Sequence, residues 1–369
     1  MLRKFSVENF KNFKEIIELD LTAGKYEYNN EAIKNNIVKN AVIFGKNGSG
    51  KSNLIYAIMD ITNHLTDFQK RSNHYTIFKN LNSSLNYARF KYEFNFSDNV
   101  LTYEYKKNNV DEIYDEIVTI NDKIVIFEDF QKGKRKVALK GAESLNVEKR
   151  DLQLSLVKYV FTNTKLDNND EFNKVFHEFK KFVYGMLYFS SGTSEGNFYQ
   201  GFKIGRDNIA STIIESGHLK KLEKFLKELE INYVLESGKD DAGNSTINVR
   251  FANQSVNIFN VLSHGTYVIL VFYYWLIFLD EIKFLVIDEF DAYYHNTVAR
   301  KLLSLIQKSS AQSIFTSHNS FIMTNDLLRP DSYFIIQNNK IKDLSHLTRK
   351  ELRFAHNLEK MYNAGAFDE

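Results

Sequence analysis

Cysteine is absent from the sequence, which excludes disulfides and thiolate-ligated metal sites. Pro330 is the sole proline. Neither sign of charge dominates: 48 Lys and Arg stand against 46 Asp and Glu, a formal net charge of +2. Overall charge therefore points neither toward nor away from nucleic acid, and only a local patch would. No apolar run reaches the ~20 residues that a membrane span requires. The most hydrophobic stretch, 267–279, reads as a buried helix. The amino terminus alternates like a strand (Leu2, Phe5, Val7) and has no signal-peptide apolar core. A soluble cytoplasmic protein is expected. Asn, Lys, Ile, Phe and Tyr are abundant, a bias read first as genomic base composition. The 369 residues leave room for one large or two medium domains with an ample core.

One stretch stands out against this background. Gly45-Lys46-Asn47-Gly48-Ser49-Gly50-Lys51-Ser52 is a complete phosphate-binding loop. It follows the apolar run Ala41-Val42-Ile43-Phe44 and precedes a helical pattern over 53–62. Strand, glycine-rich loop and helix are the context the motif needs. Glycines at 45, 48 and 50 let backbone N–H groups, those of Asn47 and Ser49 included, turn inward around a phosphate. The helix N-terminus at Ser52-Asn53 adds partial positive charge. Lys51 brings a point charge to the β- and γ-phosphates, and the Ser52 hydroxyl is a Mg²⁺ ligand. The pattern implies binding of a nucleoside triphosphate, ATP, with Mg²⁺.

Further along, Phe284-Leu285-Val286-Ile287 reads as a central parallel strand ending in Asp288-Glu289. Adjacent acids on a strand point in different directions and divide the labour. Asp288 is assigned to the Mg²⁺ shell through water, and Glu289 to polarising the attacking water. By itself the pair would be an ordinary strand end; the phosphate loop makes it a site. One β-α unit later, Ser313-Ile314-Phe315-Thr316-Ser317-His318-Asn319 carries a histidine to the same sheet edge. His318 there donates to the γ-phosphate and senses its presence, where a satisfied loop histidine is the alternative. Leu262-Ser263-His264-Gly265-Thr266 opens the buried helix, an anion-binding geometry or simply an N-cap.

Between these motifs the periodicity changes. From 88 to 130 it is period two: Phe90, Tyr92, Phe94 and Phe96, then Leu101, Tyr103 and Tyr105, then Val118, Ile120, Ile124 and Ile126. Turn residues near 98–99, 107–109 and 121–122 make this an antiparallel meander. Stretches 171–187 and 209–229 read as helices, with Lys221, Lys224 and Lys227 on a solvated face. A strand is expected at 246–251. The expected organisation is α/β. Residues 1–135 form an ATPase lobe with the meander and 136–262 a mainly helical lobe. Residues 263–345 complete the ATPase core, and 346–369 form a tail.

The set of motifs, together with Phe5-Ser6-Val7-Glu8-Asn9-Phe10-Lys11-Asn12-Phe13 at the start, resembles the ATP-binding-cassette ATPases of the RecF/SMC/OLD group. Asp288-Glu289-Phe290-Asp291-Ala292-Tyr293-Tyr294-His295 and the tail from Leu358 to Phe367 look most like the stand-alone AAA-family ATPases of phage-defence and abortive-infection loci. These are the AbiLi and RloA type, related to OLD and PARIS ATPases. The resemblance implies a P-loop head with an inserted antiparallel meander and a helical lobe. It implies a homodimer, extendable to a higher oligomer, in which two heads sandwich two ATP molecules. Ser263 and Gly265 of one head would contact the γ-phosphate held by the other, with Lys51, Glu289 and His318 catalytic. His264 and Thr266 depart from the usual Leu-Ser-Gly-Gly-Gln pattern. A water-positioning glutamine should follow the phosphate-loop helix, and Gln69 is the nearest. No Glu plus Asp-x-Asp cluster follows His318, so an effector such as a Toprim nuclease is expected to be a separate polypeptide.

Lys132, Lys134, Arg135, Lys136 and Lys140 cluster around Gly133, either a solvated hairpin or a contact for a nucleic-acid backbone. Three functions stay open on sequence alone: a dimerising ATPase that acts as sensor or scaffold for a separate effector, a RecF-like DNA-binding repair ATPase, and a nucleotide-held structural subunit with negligible turnover.

Overall fold

The computed structural model describes residues 1–68, 72–146, 154–193, 196–202 and 208–368. Among them, the central sheet has seven strands in the order Gly196–Gly201, Met186–Thr193, Phe284–Asp288, Gln312–Thr316, Asn40–Phe44, Tyr333–Gln337 and Lys340–Asp343. The five inner strands run parallel, and an antiparallel strand closes each edge. Asn40–Phe44, Phe284–Asp288 and Gln312–Thr316 are buried at every position, as strands covered on both faces must be. Alternate residues feed opposite cores: Ala41 and Ile43 pack on one side, Val42 and Phe44 on the other. The C-terminal ends of these three strands therefore emerge together at one edge, where α/β folds bind ligands.

The second sheet is the expected meander, extended by the amino terminus. Its order is Lys134–Val137, Lys123–Asp129, Ile113–Ile120, Asn99–Lys107, Ala88–Phe96, Leu2–Glu8 and Ile17–Asp20, antiparallel throughout. Asn121 and Asp122 both take left-handed φ values, 47° and 63°, the signature of a two-residue type I′ hairpin. The buried face packs on the phosphate-loop helix Lys51–Leu65 and on helix Glu171–Tyr184: Tyr92 donates to Ala57 O at 2.9 Å, and Phe94 meets Phe179 and Phe182.

Two expectations are corrected here. The helix expected over 171–187 stops at Tyr184, and Met186 opens a strand beside Phe284–Asp288. Met186-Leu187-Tyr188-Phe189 is a continuous apolar run, which periodicity alone cannot tell from a buried helix. The stretch 209–229 is two helices, Ile209–Glu215 and Leu219–Glu228, broken at Gly217 with φ +70°. Residues 136–262 thus supply two strands to the central sheet and a small sheet of Leu235–Lys239, Ser245–Arg250 and Ser255–Asn257, as well as helices. No helix among the described residues is long and apolar enough to cross a membrane.

Polar groups are buried where the meander meets these helices. Glu116 accepts from Ser155 Oγ at 2.8 Å, from Tyr103 OH at 3.0 Å and from Leu156 N, which opens helix Leu156–Asn163. Burial outweighs these donors and, with the charge of Glu128, pushes the Glu116 carboxyl up to about 7. Its folded value lies above the unfolded one, so its contribution is complete below the unfolded value and is lost as pH rises through the folded one. The expected loss is about 3 kcal/mol. Urea midpoints measured from pH 5 to 8 should fall with pH, and Glu116→Gln should flatten that slope.

Candidate functional site

At the shared strand edge lies an open cleft of ≈ 380 Å³ lined by Asn47, Gly48, Gly50, Lys51, Ser52, Asn53, Asp288, Glu289 and His318. Three separate sequence motifs thus converge. The phosphate loop is held from two sides. A Cβ on Gly45 would come within 2.6 Å of the Ile336 side chain and 2.8 Å of its carbonyl. One on Gly50 would meet Asn12 Nδ2 at 2.5 Å and the Phe13 ring at 2.9 Å, and φ there is +101°. The turn at residues 10–13 thus lies directly beneath the loop, and Asn53 Nδ2 donates to Asn12 Oδ1 at 2.7 Å. Gly48 also has positive φ, +77°, with open space around it.

The loop fits a phosphate. The helix that begins at Lys51 has no side-chain N-cap, so its first N–H groups lack that partner. Ser49 Oγ is buried with no hydrogen-bond partner among the described residues. Lys51 Nζ folds back onto Gly45 O at 2.7 Å and Lys46 O at 3.3 Å, and lies 3.4 Å from His318 Nδ1. Burial pulls the Lys51 ammonium below its ordinary value while Asp288 and Glu289 oppose that shift. His318 is also held below the usual imidazole range, first by desolvation and then by Lys51. A neutral imidazole that accepts from Lys51 at Nδ1 carries its proton on Nε2.

Across the cleft, Asp288 ends its strand buried, with 4% of its surface exposed. Thr316 Oγ1 donates to Asp288 Oδ1, and the buried Tyr188 hydroxyl approaches Oδ2 at 3.5 Å. Glu289 turns the chain in the left-handed region, φ 52°, which costs a side-chain-bearing residue about 1–2 kcal/mol. Partial burial and the Asp288 charge raise the Glu289 carboxyl above the ordinary range, and Lys51 counteracts them. Beyond the acids, Ser317 Oγ donates to Asp291 Oδ2 at 2.8 Å, tying that loop to the histidine segment. His295 caps helix Asn296–Gln307, accepting from Thr297 N at 3.4 Å.

Ser263 and Gly265 stand apart: neither lines the cleft. Ser263 is the N-cap of helix His264–Leu276, and its exposed Oγ accepts from Thr266 N at 3.2 Å. Gly265 is pressed against the loop after Glu289, where an added Cβ would sit 2.4 Å from Tyr293 O. The His264 and Tyr293 rings meet edge-on at 4.5 Å.

No motif of their own marks Asn12, Thr316 or Tyr188 as site residues; their roles follow only from tertiary geometry. Gln69 lies outside the described residues. In register with Asp288 on the neighbouring strand is Ser190. Three of the five basic residues of the cluster are paired: Arg135 with Glu128 at 2.7 Å, Lys132 with Asp129 at 3.3 Å and Lys140 with Asp170 at 3.0 Å.

A phosphate loop between a buried parallel strand and a helix, facing an acid pair and a histidine on neighbouring strand ends, defines a P-loop ATPase head. Residues 41–324 match the family described as "AAA domain, putative AbiEii toxin, Type IV TA system". The chain belongs to that family. Among solved structures it is similar to the SMC head domain from Thermotoga maritima, with 15% identity over 92% of this chain and 97% of that one and a TM-score of 0.44. An SMC head bound to the C-terminal winged-helix domain of ScpA matches at 13% identity over 93% and 97%, TM-score 0.45. RecF with ATP matches at 15% identity over 93% and 98%, TM-score 0.39. No curated protein matches.

Proposed function

We propose that this chain binds and hydrolyses ATP, pairs with a second copy around two nucleotides, and signals to a separate effector in anti-phage defence. The carrying observation is the split of the motifs: the residues of the cleft converge within one chain, while Ser263 and Gly265 lie outside it. An exposed serine at a helix N-terminus, braced by a glycine that admits the Tyr293 carbonyl, suits a γ-phosphate presented by another head. Within one chain, the backbone of Gly45, Asn47, Gly48, Ser49 and Gly50 would cradle the phosphates, with Lys51 turning from its loop carbonyls toward them. Asn53 supports the turn beneath. Ser52 and Asp288 would hold a magnesium ion, which supplies charge neutralisation at the phosphates when bound. Glu289, with its raised carboxyl, accepts a proton from water, and His318 donates from Nε2.

The defence role draws on the family description, which names a toxin of a toxin–antitoxin system. A Toprim nuclease is the effector class to test first, by pull-down from the native locus.

Light scattering tests the pairing. With ATP and Mg²⁺ the mass should rise from the 43.1 kDa of one chain to twice that value. Ser263→Arg should abolish the rise while leaving nucleotide binding to the separate chain, measured at dilutions where both proteins are monomeric, within about twofold, since the side chain lies outside its own cleft. A wild-type protein that stays monomeric at saturating ATP would overturn the reading.

A further inference from the structure

Thr316 ends the strand between the phosphate-loop strand and the strand of the acids, and its side chain has no solvent exposure. Its single hydroxyl makes two bonds to consecutive residues. It donates to Asp288 Oδ1 and accepts from Glu289 N at 2.9 Å. The Thr316 carbonyl accepts from Phe290 N at 3.0 Å. One residue therefore grips 288, 289 and 290, the segment that contains the left-handed turn at Glu289. Such backbone persists only where its surroundings over-determine it. A β-branched side chain with a stiff χ1 suits that task. The grip also reaches the phosphate loop: Ser317 N donates to Ile43 O at 3.1 Å, two residues before Gly45.

We infer that Thr316 is a positioning residue for the hydrolytic site, orienting the Asp288 carboxylate toward the cation and fixing the turn that presents Glu289. This rests on the proposed ATP-dependent function, and it adds a residue to that site. Thr316 is fully buried and lines no part of the cleft; it acts through the acid pair. A purely structural strand end would need the residue's shape, whereas the inferred role needs its hydroxyl. Thr316→Val keeps the shape and removes the oxygen. Thr316→Ser keeps the oxygen and removes the methyl.

The test compares wild type, T316V and T316S as full chains. A fluorescent ATP analogue is titrated with and without Mg²⁺, and phosphate release is followed separately. T316V should bind the metal-free analogue as wild type does, lose about tenfold of the affinity gained from Mg²⁺, and lose about 10–100-fold in kcat with KM little changed. T316S should stay within about twofold of wild type in both readouts. T316V with wild-type Mg²⁺ dependence and turnover would overturn the inference, as would T316S damaged as severely as T316V. Melting curves establish folding, and T316A replaces T316V if the valine variant fails to fold. A wild-type chain that binds no nucleotide sinks the proposed function and this inference together. Wild-type binding with an unaffected T316V sinks only the inference.

Discussion

Glu289→Gln should lower ATP turnover by about 10²–10³-fold while leaving nucleotide affinity close to wild type. The glutamine keeps the shape and the backbone turn at φ 52° but cannot accept a proton. Glu289 lines the cleft without being part of the phosphate cradle of Lys51, Ser52 and the glycines, so affinity should change little. If nucleotide binds the paired form better than the separated one, blocking hydrolysis leaves the pair populated, so the variant should also accumulate as an ATP-dependent dimer. A pH profile adds an independent check. The Glu289 carboxyl sits above the ordinary range because of partial burial and the neighbouring Asp288 charge. A base works only when deprotonated, so wild-type turnover should fall toward acid pH as the Glu289 carboxyl takes up its proton. The limb should be missing from what remains in Glu289→Gln. Phosphate release at wild-type rate from the variant would remove Glu289 from the chemistry and leave the dimer reading to stand alone.

The site was legible in the sequence because its parts are local. A phosphate loop is eight contiguous residues, and an acid pair after four apolar residues announces a strand end. Each needs only its own neighbours to be recognised. The meander was legible for a related reason: Phe90, Tyr92 and Phe94 alternate cleanly because one sheet face is buried and the other is not. The strand Met186–Thr193 was hidden by the opposite circumstance. With residues 186–190 buried on both faces, it loses the alternation that marks strands and reads as a continuation of the preceding helix. Thr316 shows a second kind of blindness. Its neighbours in sequence, Ser317 and His318, drew the reading toward the loop, whereas its bonds go to residues 27 and 28 positions away on the adjacent strand. The pairing of the basic cluster was hidden for the same reason: Arg135 and Lys140 find their carboxylates only after the hairpin closes on Glu128 and a neighbouring segment brings Asp170.

Lys107→Met should destabilise the fold by about 3–5 kcal/mol, the largest stability effect expected of a single substitution here. Lys107 Nζ lies 3.1 and 3.0 Å from the two carboxylate oxygens of Asp60, and both side chains have zero exposure. Asp60 also accepts from Tyr105 OH at 2.9 Å and Asn63 Nδ2 at 3.2 Å. The lysine lies 5.6 Å from the Phe78 ring centroid and 5.9 Å from that of Tyr105, so its removal strips the carboxylate of its counter-charge inside an aromatic shell. An unpaired buried charge costs far more than the pair itself contributes, which gives the experiment its second arm. Lys107→Met with Asp60→Leu removes both charges and should recover most of the lost stability, so the urea midpoints form a strongly non-additive cycle. The consequence reaches function through the helix. Asp60 lies on the helix that begins at Lys51, and the bond to Lys107 fixes that helix to the meander. Lys107→Met should therefore weaken ATP binding too, although it lines no part of the cleft. Equal urea midpoints for Lys107→Met and wild type would show that the helix is held by its apolar face alone.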